Sequence, residues 1–267
     1  MIATVRTARG LQGTVMVPGD KSISHRALML GSIASGESRV RGLSTGADVR
    51  STTGCMRALG VEIDDSRIRG SGMRGLRAAT APLDCGNSGT TMRLLAGLLA
   101  GQDFASELTG DESLSKRPMD RVVGPLHEMG AAAGWPPLRV GGSVPLHGIR
   151  YQAPIPSAQV KSALLLAGLY AEGVTAVVER VRTRDHTERL LVAMAAAVTE
   201  TSEAVEVRRT ERLEPLDMTV PGDFSSAAFW LVAGGLIAGS AVRLRGVGVN
   251  PTRTAFADVL TSAGIHV

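Results

Sequence analysis

The chain repeats itself, and the length of the repeat restricts its fold more than any other feature. Pro-Gly-Asp-x-Ser, an apolar run, Ile-Ala, a glycine and a valine occur from Pro18 and recur from Pro221, 203 residues on. Two further segments share the outline, GNSGTTMRLLAGLLAG from Gly86 and PSAQVKSALLLAGLYAEG from Pro156. Each opens with small polar residues, enters a Leu/Ala-rich helix and leads into a β-branched stretch. Their starts at Lys21, Asn87, Ser157 and Asp223 are 66, 70 and 66 residues apart. A second helix type alternates with the first, from Ala47, Arg117, Arg184 and Asn250, at spacings of 70, 67 and 66. The 267 residues are therefore four copies of a unit of about 67, each reading β-α-β-α-β.

The two helix types differ in where they can sit. The first lacks a polar face, as in MRLLAGLLAG and FWLVAGGLIAG, and a helix apolar all round belongs in an interior. The second is amphipathic, as in TERLLVAM. Strands and amphipathic helices should form a shell around a helical core, the reverse of a barrel with strands inside.

Composition excludes several function classes. Hydrophobic residues make up 44% and charged residues 20%, an ordinary folded composition. No apolar run approaches the ~18 residues of a membrane span, and the first residues lack a secretory-signal pattern. The net charge is +4, but the cations are scattered and the aromatics, at 3%, are too few for a base-stacking platform, so no nucleic-acid partner is expected. Cys55 and Cys85 cannot make a disulfide framework, and scattered histidines give no metal site. Only Lys21, Lys116 and Lys161 are lysines among 29 basic residues, and all three fall in segments that look chemical on other grounds.

Those segments put cations at helix entrances. In PGDKSISHRA, Lys21, Ser22 and Ser24 open a helix with Arg26 about one turn on, and a helix N-terminus already favours anions. In DCGNSGTTMR, glycines flank Asn87-Ser88, a turn suited to an anion nest; Cys85 there reads as a packed thiol. In LTGDESLSKRPMDR, Lys116 and Arg117 precede Pro118, while Asp111 and Glu112 read as solvated. Ser157, Gln159, Lys161 and Ser162 open a third helix. Thr183, Arg184, Asp185, His186 and Glu188 crowd a fourth, where His186 reads as an exposed capping-region side chain before it reads as a base. Each cluster alone also suits a capped helix. Together they suit a ligand carrying phosphates and carboxylates.

At these residues the sequence resembles the 5-enolpyruvylshikimate-3-phosphate synthase family. PGDKSISHRA, CGNSGTTMR, GDESLSKRPM, SAQVKSALLLAG, TRDHTE and PGDFSSAAF occur in the family's order, and the similarity continues through NPTRTAFADVL. The related UDP-N-acetylglucosamine enolpyruvyl transferases lack the SAQVKS and KRPM patterns. The resemblance implies an α/β fold, an inside-out α/β barrel of βαβαβ units, with about four of the usual six present. It implies a three-repeat domain over 17–218, with 1–16 as the first strand of a second domain and 219–267 as that domain's fourth-repeat part. It implies transfer of the enolpyruvyl group of phosphoenolpyruvate to the 5-hydroxyl of shikimate 3-phosphate, with release of phosphate, in the cytoplasm and without metal or cofactor. Lys21 would contact both substrates. Ser22, Arg26, Ser157, Ala158, Gln159 and Arg184 would hold shikimate 3-phosphate. Asn87, Gly89, Arg117 and Gln159 would hold phosphoenolpyruvate, with Lys21 and Arg117 as the catalytic cations. Gly89 matches the small residue where the herbicide glyphosate competes. The family's late proton-transferring carboxylates have no counterpart, so this chain alone is expected to be inactive, or to serve as a non-catalytic shikimate-3-phosphate-binding fragment. Helix Phe229–Ile237 is expected to stay exposed and to promote self-association, although the family is typically monomeric.

Overall fold

A computed structural model of the chain describes residues 9–142 and 145–267. They divide into two compact units, one of residues 21–219 and one combining the chain before Lys21 with residues 220–267. In the second of these, β1 (Gln12–Val15) is the strand of the described N-terminal residues.

The larger unit contains three repeats. The first runs α1 (Lys21–Ser32), β2 (Ser35–Arg41), α2 (Ala47–Ala58), β3 (Glu62–Asp64) and β4 (Arg67–Ser71). The second runs β5 (Leu83–Asp84), α3 (Gly89–Ala100), β6 (Ala105–Thr109), a single turn α4 (Glu112–Ser115), α5 (Asp120–Glu128), β7 (Ala133–Gly134) and β8 (Leu138–Gly141). The third runs β9 (Arg150–Gln152), α6 (Ala158–Gly168), β10 (Val174–Val178), α7 (His186–Ala193), β11 (Val198–Glu200) and β12 (Ala204–Arg208). A last strand, β13 (Asp217–Thr219), closes the unit.

Each repeat builds the same four-stranded sheet. β5 pairs parallel with β6, which pairs antiparallel with β8, which pairs with β7. β9, β10, β12 and β11 follow the same order. In the first repeat the leading strand comes from the far end of the unit, because β13 pairs parallel with β2. The repeat thus carries one strand more than β-α-β-α-β. The extra strand comes from a short hairpin turning at Asp65, at 135–137 or at Ser202, each within what reads in sequence as one extension.

Helices α1, α3 and α6 occupy the centre. Residues Ser24 to Ser32 of α1, and all of α6 except Gln159, are buried. Their starts follow from their caps. Ser88 Oγ accepts from Thr91 N at 3.1 Å and Ser157 Oγ from Val160 N at 3.4 Å, satisfying N–H groups that lack intrahelical partners. The second helix type starts later than its spacing predicts in two repeats. Pro118 and Thr183 lie ahead of α5 and α7, which begin at Asp120 and His186.

Glycine sets how closely the central helices pack. A Cβ on Gly97 of α3 would lie 2.0 Å from the carbonyl oxygen of Ala163 on α6. That contact is backbone and cannot rotate away. Gly97→Ala is therefore expected to cost about 1–3 kcal/mol as the helices are forced apart. Gly124→Ala in α5, where a Cβ meets nothing within 4 Å, should be neutral or stabilising. Urea denaturation of both variants checks the contrast.

The smaller unit continues with α8 (Phe224–Leu236), β14 (Ala241–Leu244) and α9 (Pro251–Ser262). β1 pairs parallel with β14. Asp223 caps α8 through Ser225 N and Ser226 N, and Asn250 caps α9 ahead of Pro251. The rule that an apolar helix is buried fails for α8. Phe229 is 79% exposed, and Leu236 is 76% exposed. The separate expectation that this helix stays exposed holds for Phe229, Trp230 and Leu236, while 231–234 and Ile237 are half-buried. Among the described residues no helix is long and apolar enough to cross a membrane.

Candidate functional site

The first turns of α1, α3 and α6 are linked by side chains, and the sequence-derived candidates lie at those links. On α1, Lys21 Nζ pairs with Asp48 of α2 at 2.9 Å, half exposed. Ser22 Oγ accepts from Arg184 Nη1 at 2.7 Å, which brings the segment before α7 onto the start of α1. Arg26 is buried at 3% exposure. Its Nη1 donates to Ser22 O at 2.9 Å, its Nε to Thr187 Oγ1 at 2.6 Å and its Nη2 to Ser162 Oγ at 2.6 Å. Arg26 therefore braces α1 against α6 and α7 from beneath, while Ser22 and Arg184 meet nearer the surface.

Gln159 joins α6 to α3. Its Oε1 accepts from Arg93 Nη1 at 2.9 Å and its Nε2 donates to Thr90 Oγ1 at 2.8 Å. Ser157 and Ala158 stand beside it at the helix start. The Gly86–Gly89 turn holds Asn87, whose Oδ1 accepts from Arg117 Nη2 at 2.6 Å and whose Nδ2 donates to Asp111 Oδ2 at 2.7 Å. The hydrogen bond from Asn87, with the Leu114 N–H of the α4 cap, holds the Asp111 carboxyl below the usual carboxylate range. Asp111 is exposed, as expected for it.

Two guanidinium groups converge on Gly89. A Cβ there would stand 2.7 Å from Arg93 Nη1 and 3.3 Å from Arg117 Nη1. Arg93 is held below its ordinary pKa by burial first, then by the like charges of Arg117 and Arg121. Cations gathered without an intervening carboxylate are stabilised by an anion. Sequence reasoning gave Arg93 no role. The available signal was its position four residues after Gly89, on the same helical face.

His186 is not the exposed side chain expected of it. It is 5% exposed, as the first residue of α7 packs against α1. Cys85 is a packed thiol, fully buried, with its ionisation pushed up by the neighbouring Cys55 sulfur and by burial. Among the described residues no cluster of His, Cys, Asp or Glu could hold a metal ion.

A network of hydroxyls lies under the site. His25 Nδ1 is 2.6 Å from Thr52 Oγ1, which is 2.7 Å from Thr91 Oγ1, which reaches Ser88 Oγ at 2.7 Å. It joins α1, α2 and the cap of α3, so the three helix starts share one buried polar seam.

Comparison with known proteins gives this arrangement a family. The profile of EPSP synthase (3-phosphoshikimate 1-carboxyvinyltransferase) matches residues 5–267. The chain belongs to the EPSP synthase family. A 3-phosphoshikimate 1-carboxyvinyltransferase from Alkalilimnicola ehrlichii is 52% identical over 273 residues, covering 98% of this chain and 61% of its own length. One from Citrifermentans bemidjiense is 54% identical over 271 residues, covering 98% of this chain and 63% of its own length. A solved EPSP synthase from Acinetobacter baumannii superposes with a TM-score of 0.89 at 45% identity, over 96% of this chain and 60% of that one. The chain thus spans about three fifths of the length of the EPSP synthases it matches, and it shares their α/β fold.

The arrangement is chemically suited to anions. Its carboxylates, Asp48 and Asp111, are already engaged by Lys21 and Asn87. Its cations are fixed by hydrogen bonds before any ligand arrives, which suits them to stabilise charge without reorganising.

Proposed function

We propose that this chain supplies the shikimate-3-phosphate site and part of the phosphoenolpyruvate site for enolpyruvyl transfer to the 5-hydroxyl of shikimate 3-phosphate with release of phosphate. The observations that carry the reading are the Arg184–Ser22 bond at the start of α1 and the bonds of Gln159 from the start of α6 to Thr90 and Arg93, beside the Arg93–Arg117 pair at Gly89. The first group suits a phosphorylated polyol. The second suits a small molecule bearing phosphate and carboxylate, with Arg117 able to grip either anion bidentately. Lys21, half exposed at the start of α1 and paired with Asp48, would be the cation shared by both. Two unpaired cysteines suit a reducing compartment, and we place the reaction in the cytoplasm.

Calorimetric titration tests the reading. Shikimate 3-phosphate should bind, and shikimate lacking the phosphate should bind at least about tenfold more weakly, a difference of ~1.4 kcal/mol. Absence of binding by shikimate 3-phosphate at millimolar concentration, or equal binding of both, would overturn it.

Gly89→Ala tests the second anion site. Its added methyl must displace the Arg93 tip and crowd Arg117. With shikimate 3-phosphate present, phosphoenolpyruvate affinity should fall by about tenfold. Shikimate-3-phosphate affinity should fall less, because Ser22 and Arg184 do not touch Gly89 and the change reaches that site only through the Arg93–Gln159 bond. Paired titrations of parent and variant check both statements.

A further inference from the structure

Beneath the site lies a buried ion triad that the binding contacts do not use. Lys161 Nζ, on α6, is 2.7 Å from Glu179 Oε2 and 2.6 Å from Glu188 Oε1, and the three side chains are 2%, 8% and 1% exposed. The Glu188 contact is a buried ion pair at hydrogen-bonding distance. With Arg26 close by, the cluster holds two cations and two carboxylates, so its formal charge cancels.

Stability alone does not explain such a cluster. Apolar side chains filling the same volume commonly stabilise a fold as well or better. What buried ions supply is direction. An ammonium with three tetrahedral donors meets two converging carboxylates, where a planar guanidinium suits one. This fits the retention of a lysine here in a chain whose other cations are nearly all arginine.

The direction leads to the site. Glu179 follows the last residue of β10. While its Oε2 meets Lys161, its Oε1 accepts from Thr183 Oγ1, and Thr183 N reaches Oε2 at 3.4 Å. Thr183 precedes Arg184, whose guanidinium reaches Ser22. A second arm runs from Glu188 through its neighbour Thr187 to Arg26. There Ser162 Oγ donates to Ala158 O at 2.6 Å, so the Thr187 hydroxyl, 2.7 Å from Ser162 Oγ, is the donor between the two.

We propose that Lys161 and Glu179 are positioning residues, which clamp Thr183 and thereby aim Arg184 at the phosphorylated ligand beside Ser22, with Glu188 balancing the buried ammonium. The ligand rests on the function proposed above. The clamp itself does not.

Thr183→Val cuts the clamp without removing a buried charge, and Thr183→Ser restores the hydroxyl. Thr183→Val should weaken shikimate 3-phosphate by about tenfold, and Thr183→Ser should return affinity to within about twofold of the parent. Thr183→Val/Arg184→Ala should bind no more weakly than Arg184→Ala, because Thr183 acts only through Arg184. In the ligand-free protein, Thr183→Val should speed amide exchange at Arg182–Asp185 by about tenfold or more, with α6 and β10 unchanged. Unchanged exchange in Thr183→Val overturns the proposal, as do independent losses that multiply in the double variant. If the parent binds no shikimate 3-phosphate, the functional reading fails and the exchange experiment alone decides the clamp.

Discussion

Lys161→Met is expected to lower the folding free energy by about 3–5 kcal/mol, the range for removing one partner from a buried ion pair. The loss arises from what remains, two carboxylates at 8% and 1% exposure that have lost their shared ammonium, with Arg26 near Glu188 and Thr183 bonded to Glu179. Burial already holds the Glu188 carboxyl above its ordinary pKa, against the lowering by Lys161 and by Arg26. Removing the ammonium strengthens that imbalance. The charge count also makes a second prediction. Lys161→Met/Glu188→Met removes one buried carboxylate along with the ammonium, so the double variant should recover at least half of the loss. Urea denaturation with an unchanged m-value measures both. A loss below about 1 kcal/mol in the single variant would show the ammonium to be unimportant to the folded state.

Acid should destabilise this fold through His25. The side chain is fully buried, its Nδ1 is engaged with Thr52, and its Nε2 has no hydrogen-bond partner among the described residues. Burial first, then the charge of Arg26, brings its pKa down from 6.5 to about 3, with Lys21 adding to the fall and Asp48 opposing it. The folded state therefore keeps His25 neutral where the unfolded chain protonates it. Between pH 6.5 and 3 the unfolded state binds the extra proton, so stability falls as pH falls. The slope from this residue is about 1.4 kcal/mol per pH unit, or ~5 kcal/mol over the whole window. Other groups contribute their own slopes, so the parent is compared with His25→Gln. The stability difference, parent minus variant, should shrink by ~2.3 kcal/mol between pH 6.5 and 4.5. A difference constant with pH would mean that His25 is protonated in the folded state.

The sequence shows the scaffold more clearly than the contacts between its parts. Ser88, Ser157, Asp223 and Asn250 mark helix starts because a capping side chain must precede the first free N–H groups, and that signal is local. The helical core is legible because α3 and α6 have no polar face. The hairpin strands are not, since strands of two to five residues separated by a turn look like one extended segment. His186 illustrates the same limit. A histidine among polar residues at a helix start looks solvated, and only the packing of α7 on α1 buries it. The Arg93–Gln159 contact and the Lys161 triad depend on partners 18 to 66 residues away, so no spacing rule exposes those contacts. The resemblance to EPSP synthases named the residues of the site. The structure adds what holds them, the hydroxyl seam under α1 and α3 and the ion triad under α6 and α7.

The central claim is that the starts of α1 and α6 and the segment before α7 form one binding site for a phosphorylated ligand. Mapping amide chemical shifts during titration with shikimate 3-phosphate tests it residue by residue. The shifts should concentrate at Lys21–Ser22, Ser157–Gln159 and Thr183–Arg184, with a smaller set around Asn87–Gly89. Shifts confined to other surfaces, or a spectrum unchanged at millimolar ligand, would contradict it.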